Sequence, residues 1–299
     1  MSNIFDALQR VETETTGAEG PSISVAMELL EAAESRFIGV GLKETPDKQQ
    51  RPTLGEFDNC PQLAVSIRED NHLVSVAQEG SLGAEKFRFF ALRLRQLRST
   101  RALKKVLITS SIPEEGKSTV AANLACTLAR RKHQKTLLLE GDLRRPNITH
   151  QFGVGKLPGL CEWLSEKTHD VGIYKLQSLG LWLLPAGAAP ENPLELMQNG
   201  RLSLLMEQLE ARFDWIIIDS PPVLPLGDTS IWSRFADGIV LVTRKGVTEK
   251  QQLSRGLEII DKSKLLGALV NSSSNAARSD YYKHYAAALV QQAKSNGFK

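Results

Sequence analysis

Nine residues in the middle of the chain have the types and spacing needed to hold a phosphate group. They read S-I-P-E-E-G-K-S-T and follow the apolar run 106–108 after two further residues. At such a position Gly116 allows a close backbone approach, Lys117 can reach the β and γ oxygens, and the Ser118 hydroxyl is of the type that ligates Mg²⁺. Backbone N–H groups at the start of a following helix complete the cradle. We therefore predict a nucleotide-binding loop made of Ser111, Ile112, Pro113, Glu114, Glu115, Gly116, Lys117, Ser118 and Thr119, with Ser111 where the general pattern has its first glycine.

Carboxylates follow two further apolar runs. The segment L-L-L-E-G-D-L-R-R-P places Glu140 and Asp142 just after one run, and W-I-I-I-D-S-P-P places Asp219 after another. Beside a polyphosphate, such groups can hold Mg²⁺ or take a proton from an attacking hydroxyl; alternatively, they are ordinary turn formers. The predicted catalytic residues are Lys117, Glu140, Asp142 and Asp219, and the predicted metal ligands are Ser118, Asp142 and Asp219. Either Glu140 or Asp142 could be the base.

The elements that position these residues are predicted by short apolar runs separated by segments of helical length. The runs lie at 106–109, 136–139, 215–218, 238–242 and 268–270, and helices are predicted at 85–98 and 120–131. Runs without polar alternation are typical of parallel strands that are covered on both faces, and ligands then bind at the carboxyl ends of the strands. We expect an α/β fold of the P-loop NTPase type, a doubly wound and mostly parallel sheet with helices on both faces. The predicted organisation is an N-terminal amphipathic helix and mostly flexible linker at 1–61, the main domain at 62–271 and a flexible tail at 272–299.

Composition excludes several other classes of protein. The 37 basic and 34 acidic residues give a net charge of +3, which indicates no general affinity for nucleic acid or membrane surfaces. Three cysteines without C-x-x-C spacing and five scattered histidines predict neither disulfides nor zinc. No apolar run reaches 18 residues and the N-terminus lacks a signal-peptide core, so we expect a cytoplasmic protein.

The motifs together resemble those of the bacterial tyrosine kinases of capsular and exopolysaccharide assembly. The similarity includes E-G-D-L-R-R-P, L-P-A-G, N-P-L-E-L and I-I-I-D-S-P-P and extends from about residue 85 to 271. It implies ATP and Mg²⁺ as cofactors and three motifs, Walker A at 111–119, Walker A′ at 137–144 and Walker B at 216–219. In the family the first acid of Walker A′ is usually aspartate and is the proposed base, whereas this chain has Glu140. Asn271 is a candidate adenine ligand by similarity to related ATPases, with a turn or helix cap as the alternative role.

Three of the four tyrosines lie close together near the C-terminus. Tyr281, Tyr282 and Tyr285 follow the polar stretch N-S-S-S-N-A-A-R-S-D. The family carries such a cluster as its autophosphorylation site, so these three are the predicted phosphoacceptors. Helical spacing with Ala286 and Leu289 also fits a packing role. The span from Asn271 to Tyr281 can extend roughly 33 Å, which allows transfer within a subunit or to a neighbour; the resemblance favours the neighbour.

Helix 85–98 is the candidate oligomer contact. The family has an E-x-x-R-x-x-R helix between the subunits of a ring, which Glu85 and Arg88 match, although Ala91 occupies the last position and Arg93 is the nearest substitute. The cations of 93–105 have no interleaved aromatic platform, so nucleic acid is not the expected partner.

The resemblance also implies partners for this chain. Two alternative functions remain open. The expected partner is a separate membrane-spanning chain-length protein that activates the kinase and recruits it to the inner face of the membrane, and a cognate tyrosine phosphatase is compatible with the family. One alternative is a ParA/MinD-like switch ATPase, although those proteins carry an additional lysine where this chain has Ile112. The other is a catalytically silent adaptor that binds ATP.

Overall fold

The structure is a computed structural model that describes residues 60–68, 71–168, 170–224 and 227–272. The predicted N-terminal helix and most of the linker, together with the tyrosine-bearing tail, lie outside the described residues. The domain boundaries at 61 and 271 therefore stay predictions.

The described residues form one eight-stranded sheet. Its strands, in chain order from β1 to β8, are Gln62–Leu63, Lys105–Ser110, Thr136–Glu140, Tyr174–Leu176, Leu181–Leu184, Trp215–Asp219, Gly238–Arg244 and Leu265–Asn271. The spatial order is β1-β4-β5-β3-β6-β2-β7-β8, and all neighbours are parallel except β4 and β5. The five predicted runs are the strands β2, β3, β6, β7 and β8. The predicted fold class is confirmed.

Nine α-helices of the described chain flank the sheet. From α1 to α9 they are Val74–Ala77, Leu82–Arg98, Lys117–Ala129, Ile148–Phe152, Leu160–Leu164, Pro193–Met197, Arg201–Arg212, Asp228–Phe235 and Lys250–Ile259. A short 3₁₀ turn at Gln177–Leu179 joins β4 to β5. None of the helices in these ranges has the length and apolar character needed to cross a bilayer.

The sheet separates two hydrophobic cores. Leu137 and Leu139 of β3 point into one core, which contains the large buried ring of Trp232 from α8. Leu138 points into the other, where α2 and α3 pack. Because successive strand residues face opposite sides, a strand covered on both faces must be apolar throughout, which explains the continuous runs in the sequence.

Helix α3 begins earlier than the sequence predicts. It starts at Lys117 and not at residue 120, because Gly116 adopts a left-handed conformation with φ 86° and ends the phosphate loop directly before the helix. All residues from 120 to 129 are buried. The first turn of a central, buried helix therefore carries Lys117 and Ser118 to the carboxyl edge of the sheet.

Most of the basic residues in 93–105 are occupied by contacts within the subunit. Arg98 lies over the ring of Trp215, with its guanidinium carbon 4.9 Å from the ring centroid. Lys104 donates to the Glu210 carbonyl at 2.7 Å, and Lys105 pairs with Glu210 and Asp237. These cations hold α2, β2 and the neighbouring loops together.

Candidate functional site

The predicted phosphate loop connects β2 to α3, and a buried glutamate holds its shape. The Glu115 carboxylate accepts the Ile112 N–H at 2.9 Å and the hydroxyl of Thr248. Thr248 in turn accepts the N–H of Arg244 at the end of β7, at 2.9 Å. Since Glu115 is fully buried, these bonds fix the loop conformation from inside.

Asn271, at the end of β8, contacts the same loop. Its side-chain amide donates to the Glu115 carbonyl at 3.0 Å. A Cβ atom at position 116 would overlap this amide, and the positive φ of Gly116 also disfavours any side chain there. Asn271 thus positions the loop, and contact with adenine stays a prediction.

The Lys117 ammonium lies at the centre of the site. Its Nζ is 2.7 Å from Asp142 Oδ2 and 3.4 Å from the Ser118 hydroxyl. Burial alone would lower the pKa of Lys117, but the negative charges of Asp219, Asp142 and Glu140 outweigh burial and raise it. The side chain therefore carries a full positive charge at the position where phosphate oxygens are expected.

Asp219 places a buried carboxyl group next to this ammonium. It pairs in the sheet register with Glu140 of β3 and Ile108 of β2, which places it at the carboxyl end of the central strands. Neither of its carboxylate oxygens makes a hydrogen bond of good geometry with a described residue. Burial raises the pKa of Asp219 to about 7, although the charge of Lys117 and the nearby Ser118 hydroxyl oppose this rise.

These residues fit a magnesium nucleotide. A buried carboxylate without partners is costly unless a cation or donor satisfies it. Asp219, Asp142 and the Ser118 hydroxyl offer the hard oxygen atoms that Mg²⁺ prefers, and Mg²⁺ usually takes only one or two carboxylates when phosphates supply further ligands. The described residues contain no cluster of three His, Cys, Asp or Glu side chains suited to holding a metal by themselves.

The carboxylate of Glu140 has a different environment from that of Asp142. It is 1% exposed and accepts the backbone N–H groups of Asn147, Ile148 and Ala186. Burial raises the pKa of Glu140, and these three hydrogen bonds only partly compensate. Among the described residues, Asp142 accepts the N–H of Arg145, at 3.1 Å, besides its contact with Lys117.

Sequence reasoning missed the residues that support the Walker A′ turn. Gly141 donates to the Asp219 carbonyl at 2.7 Å, and its own carbonyl accepts the indole N–H of Trp232 at 3.0 Å. Arg144 forms a two-pronged contact with Asp228, at 2.7 and 3.1 Å. Trp232 and Asp228 belong to α8 and lie 91 and 84 positions from their partners in sequence, so no local pattern could reveal them.

The other predicted site residues lie on α2 or outside the described chain. Glu85 and Arg88 form an exposed ion pair with each other on α2, and Arg88 also donates to the Glu79 carbonyl at 2.6 Å. Tyr281, Tyr282 and Tyr285 belong to the tail that the structure does not describe. The remaining tyrosine, Tyr174, is buried and its hydroxyl donates to the Pro158 carbonyl at 3.2 Å.

The buried Asp219 predicts a specific pH dependence of stability without nucleotide and metal. Its pKa is about 7 in the folded protein and about 3.9 in an unfolded chain, so the folded state binds the proton more tightly and stability falls as pH rises between these values. Asp219→Asn removes this titration. Between about pH 5 and pH 8, the wild-type Tm should fall by roughly 5 °C or more relative to the variant. Glu140 is present in both proteins, so its contribution to the pH dependence of Tm cancels in the comparison. Curves of Tm against pH that run parallel in the two proteins would contradict the prediction.

Comparison with known proteins shows which family this chain resembles. A family model described as an AAA domain matches residues 114–264. Tyrosine-protein kinase YwqD of Bacillus subtilis is 35% identical over 217 residues, which cover 72% of this chain and 91% of that protein. The succinoglycan biosynthesis transport protein ExoP of Rhizobium meliloti is 33% identical over 64% of this chain but only 25% of its own length.

A solved structure shows the same similarity. The kinase domain of the Escherichia coli tyrosine kinase ETK superposes with a TM-score of 0.59 at 27% identity, covering 68% of this chain and 82% of that domain.

Proposed function

The chain belongs to the bacterial tyrosine-protein kinases, and from this premise we propose that it transfers the γ-phosphate of ATP to tyrosines of its own C-terminal tail. The observation that carries the proposal is the contact between Lys117 and Asp142 beside the buried carboxylate of Asp219. This contact places a cation that can bind phosphate beside acids that can bind a metal ion or accept a proton.

The chain's own residues supply positioning and charge. A nucleotide phosphate would accept the loop N–H groups and would attract the ammonium of Lys117 away from Asp142. Most of the rate in phosphoryl transfer comes from such positioning and electrostatic stabilisation. Ser118, Asp142 and Asp219 would hold Mg²⁺, which neutralises phosphate charge when bound.

The acceptor hydroxyl requires a base. A tyrosine hydroxyl has an ordinary pKa near 10 and is a poor nucleophile at neutral pH until a carboxylate takes its proton. Carboxylates at the end of β3 are available next to Lys117. The buried hydroxyl of Tyr174 donates to a backbone carbonyl within the fold, which leaves Tyr281, Tyr282 and Tyr285 as the proposed acceptors.

A kinase fits the chain better than a switch ATPase. The additional lysine of the ParA/MinD pattern is replaced by Ile112. The similarity to a named tyrosine kinase extends over nine-tenths of that relative. Both features support transfer to a protein hydroxyl over hydrolysis alone.

The proposed assembly is a ring in which each tail reaches a neighbouring active site. The exposed face of α2 provides the contact, since Glu85 and Arg88 lie there beside Phe89, which is 64% exposed. Arg88 and Glu85 pair within one subunit here, and the same charges can pair between subunits. Phosphates of about −1.5 to −2 charge on the tails would then alter tail binding.

The proposed biological role is regulation of the polymerisation and export of an exopolysaccharide or capsule. Similarity to part of a much longer succinoglycan transport protein supports this role. We infer that a separate membrane-spanning chain-length protein activates the kinase and brings it to the inner face of the membrane, and that a tyrosine phosphatase reverses the reaction.

Mixing two inactive variants tests autophosphorylation between subunits. Lys117→Ala keeps the tail but loses the cation, whereas replacing Tyr281, Tyr282 and Tyr285 with Phe keeps the site but removes the acceptors. With Mg·ATP, the mixture should phosphorylate the tails of the Lys117→Ala chains, separated by a size tag. Unlabelled tails in the mixture, with labelled tails in the wild type, would contradict transfer between subunits. Unlabelled tails in both would contradict the proposed function.

A further inference from the structure

Helix α9 contacts the phosphate loop, although none of its residues belongs to the loop's motif. We propose that Gly256 in α9 and Thr248 just before α9 are positioning residues, which hold the backbone of the phosphate loop in the conformation that binds ATP. These roles rest on the part of the proposed function that places ATP at the loop, and they do not depend on transfer to tyrosine.

Gly256 allows α9 to lie directly against the loop. Within this fully described helix it is the only buried residue. A Cβ atom at position 256 would lie 2.6 Å from the Ser111 hydroxyl oxygen and 3.2 Å from the Ser111 Cβ, which is closer than side chains normally pack. Since glycine inside a helix is less favourable than alanine, this close approach accounts for the glycine.

Ser111 is held in place on the loop side of this contact. Its carbonyl accepts the Leu224 N–H at 3.3 Å, and the carbonyl of Ser110 accepts the Val223 N–H at 2.9 Å. The Ser111 side chain is fully buried, and its hydroxyl makes no hydrogen bond with a described residue. The general motif has its first glycine at position 111. In this chain the loop carries the side chain, and the glycine lies on the helix that faces it.

Thr248 acts on the loop through Glu115. Its hydroxyl donates to one carboxylate oxygen of Glu115 and accepts the Arg244 N–H at 2.9 Å. The second carboxylate oxygen accepts the Ile112 N–H at 2.9 Å. Because Glu115 is fully buried, the partners of its carboxylate fix its orientation and with it the loop backbone.

The loop needs this support because one of its residues has an unfavourable conformation. Glu114 has a φ of 65°, which residues with a side chain rarely adopt. Such a conformation persists when the surrounding contacts impose it. The Arg244 guanidinium donates to the Glu114 carbonyl at 3.3 Å, and Thr248 holds Glu115. The segment from the end of β7 to α9 therefore maintains the backbone whose N–H groups can bind phosphate.

Displacing this backbone should weaken ATP binding more than it slows the chemical step. Variants of Gly256 and Thr248 keep Lys117 and the carboxylates of the site, whereas the preorganised N–H groups of the loop are lost. The KM for ATP should therefore rise by a larger factor than kcat falls. A variant that merely contained less folded protein would show a lower apparent kcat with an unchanged KM.

Binding of a fluorescent, non-hydrolysable ATP analogue with Mg²⁺ to the full chain tests the role of Gly256. Gly256→Ala should weaken binding at least about tenfold, because the added methyl group must displace the loop. Ser111→Gly removes the opposing side chain, so Ser111→Gly/Gly256→Ala should bind within about threefold of Ser111→Gly alone. The matched control Gly80→Ala adds a methyl group where no atom beyond the neighbouring residues lies within 4 Å, and it should bind as the wild type does. Wild-type binding by Gly256→Ala, or an equal loss in both backgrounds, would overturn this role.

Two substitutions of Thr248 test the second contact. Valine keeps the volume and removes the hydroxyl, whereas serine keeps the hydroxyl. Thr248→Val should weaken analogue binding about tenfold and, without nucleotide, accelerate amide hydrogen exchange at Ile112 at least about fivefold. Thr248→Ser should restore both properties. Equal effects of the two substitutions, or no effect of either, would overturn the role of Thr248.

These measurements separate the positioning roles from the proposed function. The expected differences in analogue binding, in a chain that never phosphorylates its tail, would refute the kinase proposal alone. Wild-type analogue affinity in the Gly256 and Thr248 variants, with normal tail labelling, would refute the positioning roles alone. A wild-type chain that does not bind the analogue would refute both.

Discussion

Replacing Lys117 with alanine should reduce phosphorylation of the tail by at least about 100-fold. The Lys117 ammonium is charged and lies beside the phosphate loop, in contact with Asp142. Losing one preorganised charge that stabilises the transition state typically costs 10²–10³ in kcat. The variant also leaves Asp142 and Asp219 without their buried cation, so we expect weaker binding of a non-hydrolysable ATP analogue in the absence of added Mg²⁺.

Lys132→Ala is the matched control for this experiment. Lys132 is exposed and lies in the turn between α3 and β3, at the edge of the sheet opposite to the phosphate loop. Its removal deletes the same charge from the protein without touching the site. Phosphorylation by Lys132→Ala should equal that of the wild type, and equal losses in both variants would show that Lys117 acts only through net charge or folding.

Replacing Tyr281, Tyr282 and Tyr285 together with phenylalanine should abolish labelling of the chain. Phenylalanine keeps the aromatic ring and removes only the hydroxyl that accepts the phosphoryl group. Binding of the ATP analogue should be unchanged, since the variant keeps every residue of the phosphate loop and Asn271. Phosphotyrosine detection by mass spectrometry gives the result directly.

Tyr174→Phe is the companion control for the acceptor experiment. It removes the one tyrosine hydroxyl of the described chain, which donates to the Pro158 carbonyl in a buried position. We expect a loss of stability of about 1 kcal/mol with full tail labelling. Persistent labelling of the triple variant would mean that the tail tyrosines serve packing and that another group accepts the phosphate.

The strands that carry the site are the part of the fold that the sequence predicted best. β2, β3 and β6 are buried on both faces, so their apolar runs are continuous and easily recognised. The adjacent strands β4 and β5 were missed. They have three and four residues, which is too short for a periodic signal, and their pairing depends on contacts made across the chain.

The sequence also located the three acids at strand ends, because parallel strands bring their carboxyl ends to one edge. It could not separate Glu140 from Asp142, which lie two positions apart on one turn. Their environments differ through the N–H groups of Asn147, Ile148 and Ala186, and these partners become neighbours only in the folded sheet. The hydrogen bonds that each carboxylate makes are therefore decided by the fold and not by the local sequence.

The phosphate loop shows the same limit of prediction from the sequence. Its motif is local and was recognised from nine consecutive residues. Its internal support comes from Thr248 and Asn271, more than 130 positions away, which contact Glu115. Nothing in the spacing of the motif indicates which distant residues complete it.

The most direct test of the central claim compares the products formed from γ-labelled ATP. The full chain is incubated with Mg·ATP, and ADP, free phosphate and tail phosphotyrosine are measured in the same sample. We predict that ADP and phosphotyrosine of the tail form in equal amounts while free phosphate stays at background. ADP accompanied by free phosphate without phosphotyrosine would indicate a switch ATPase and would contradict the kinase mechanism, and the absence of all three products would indicate an adaptor.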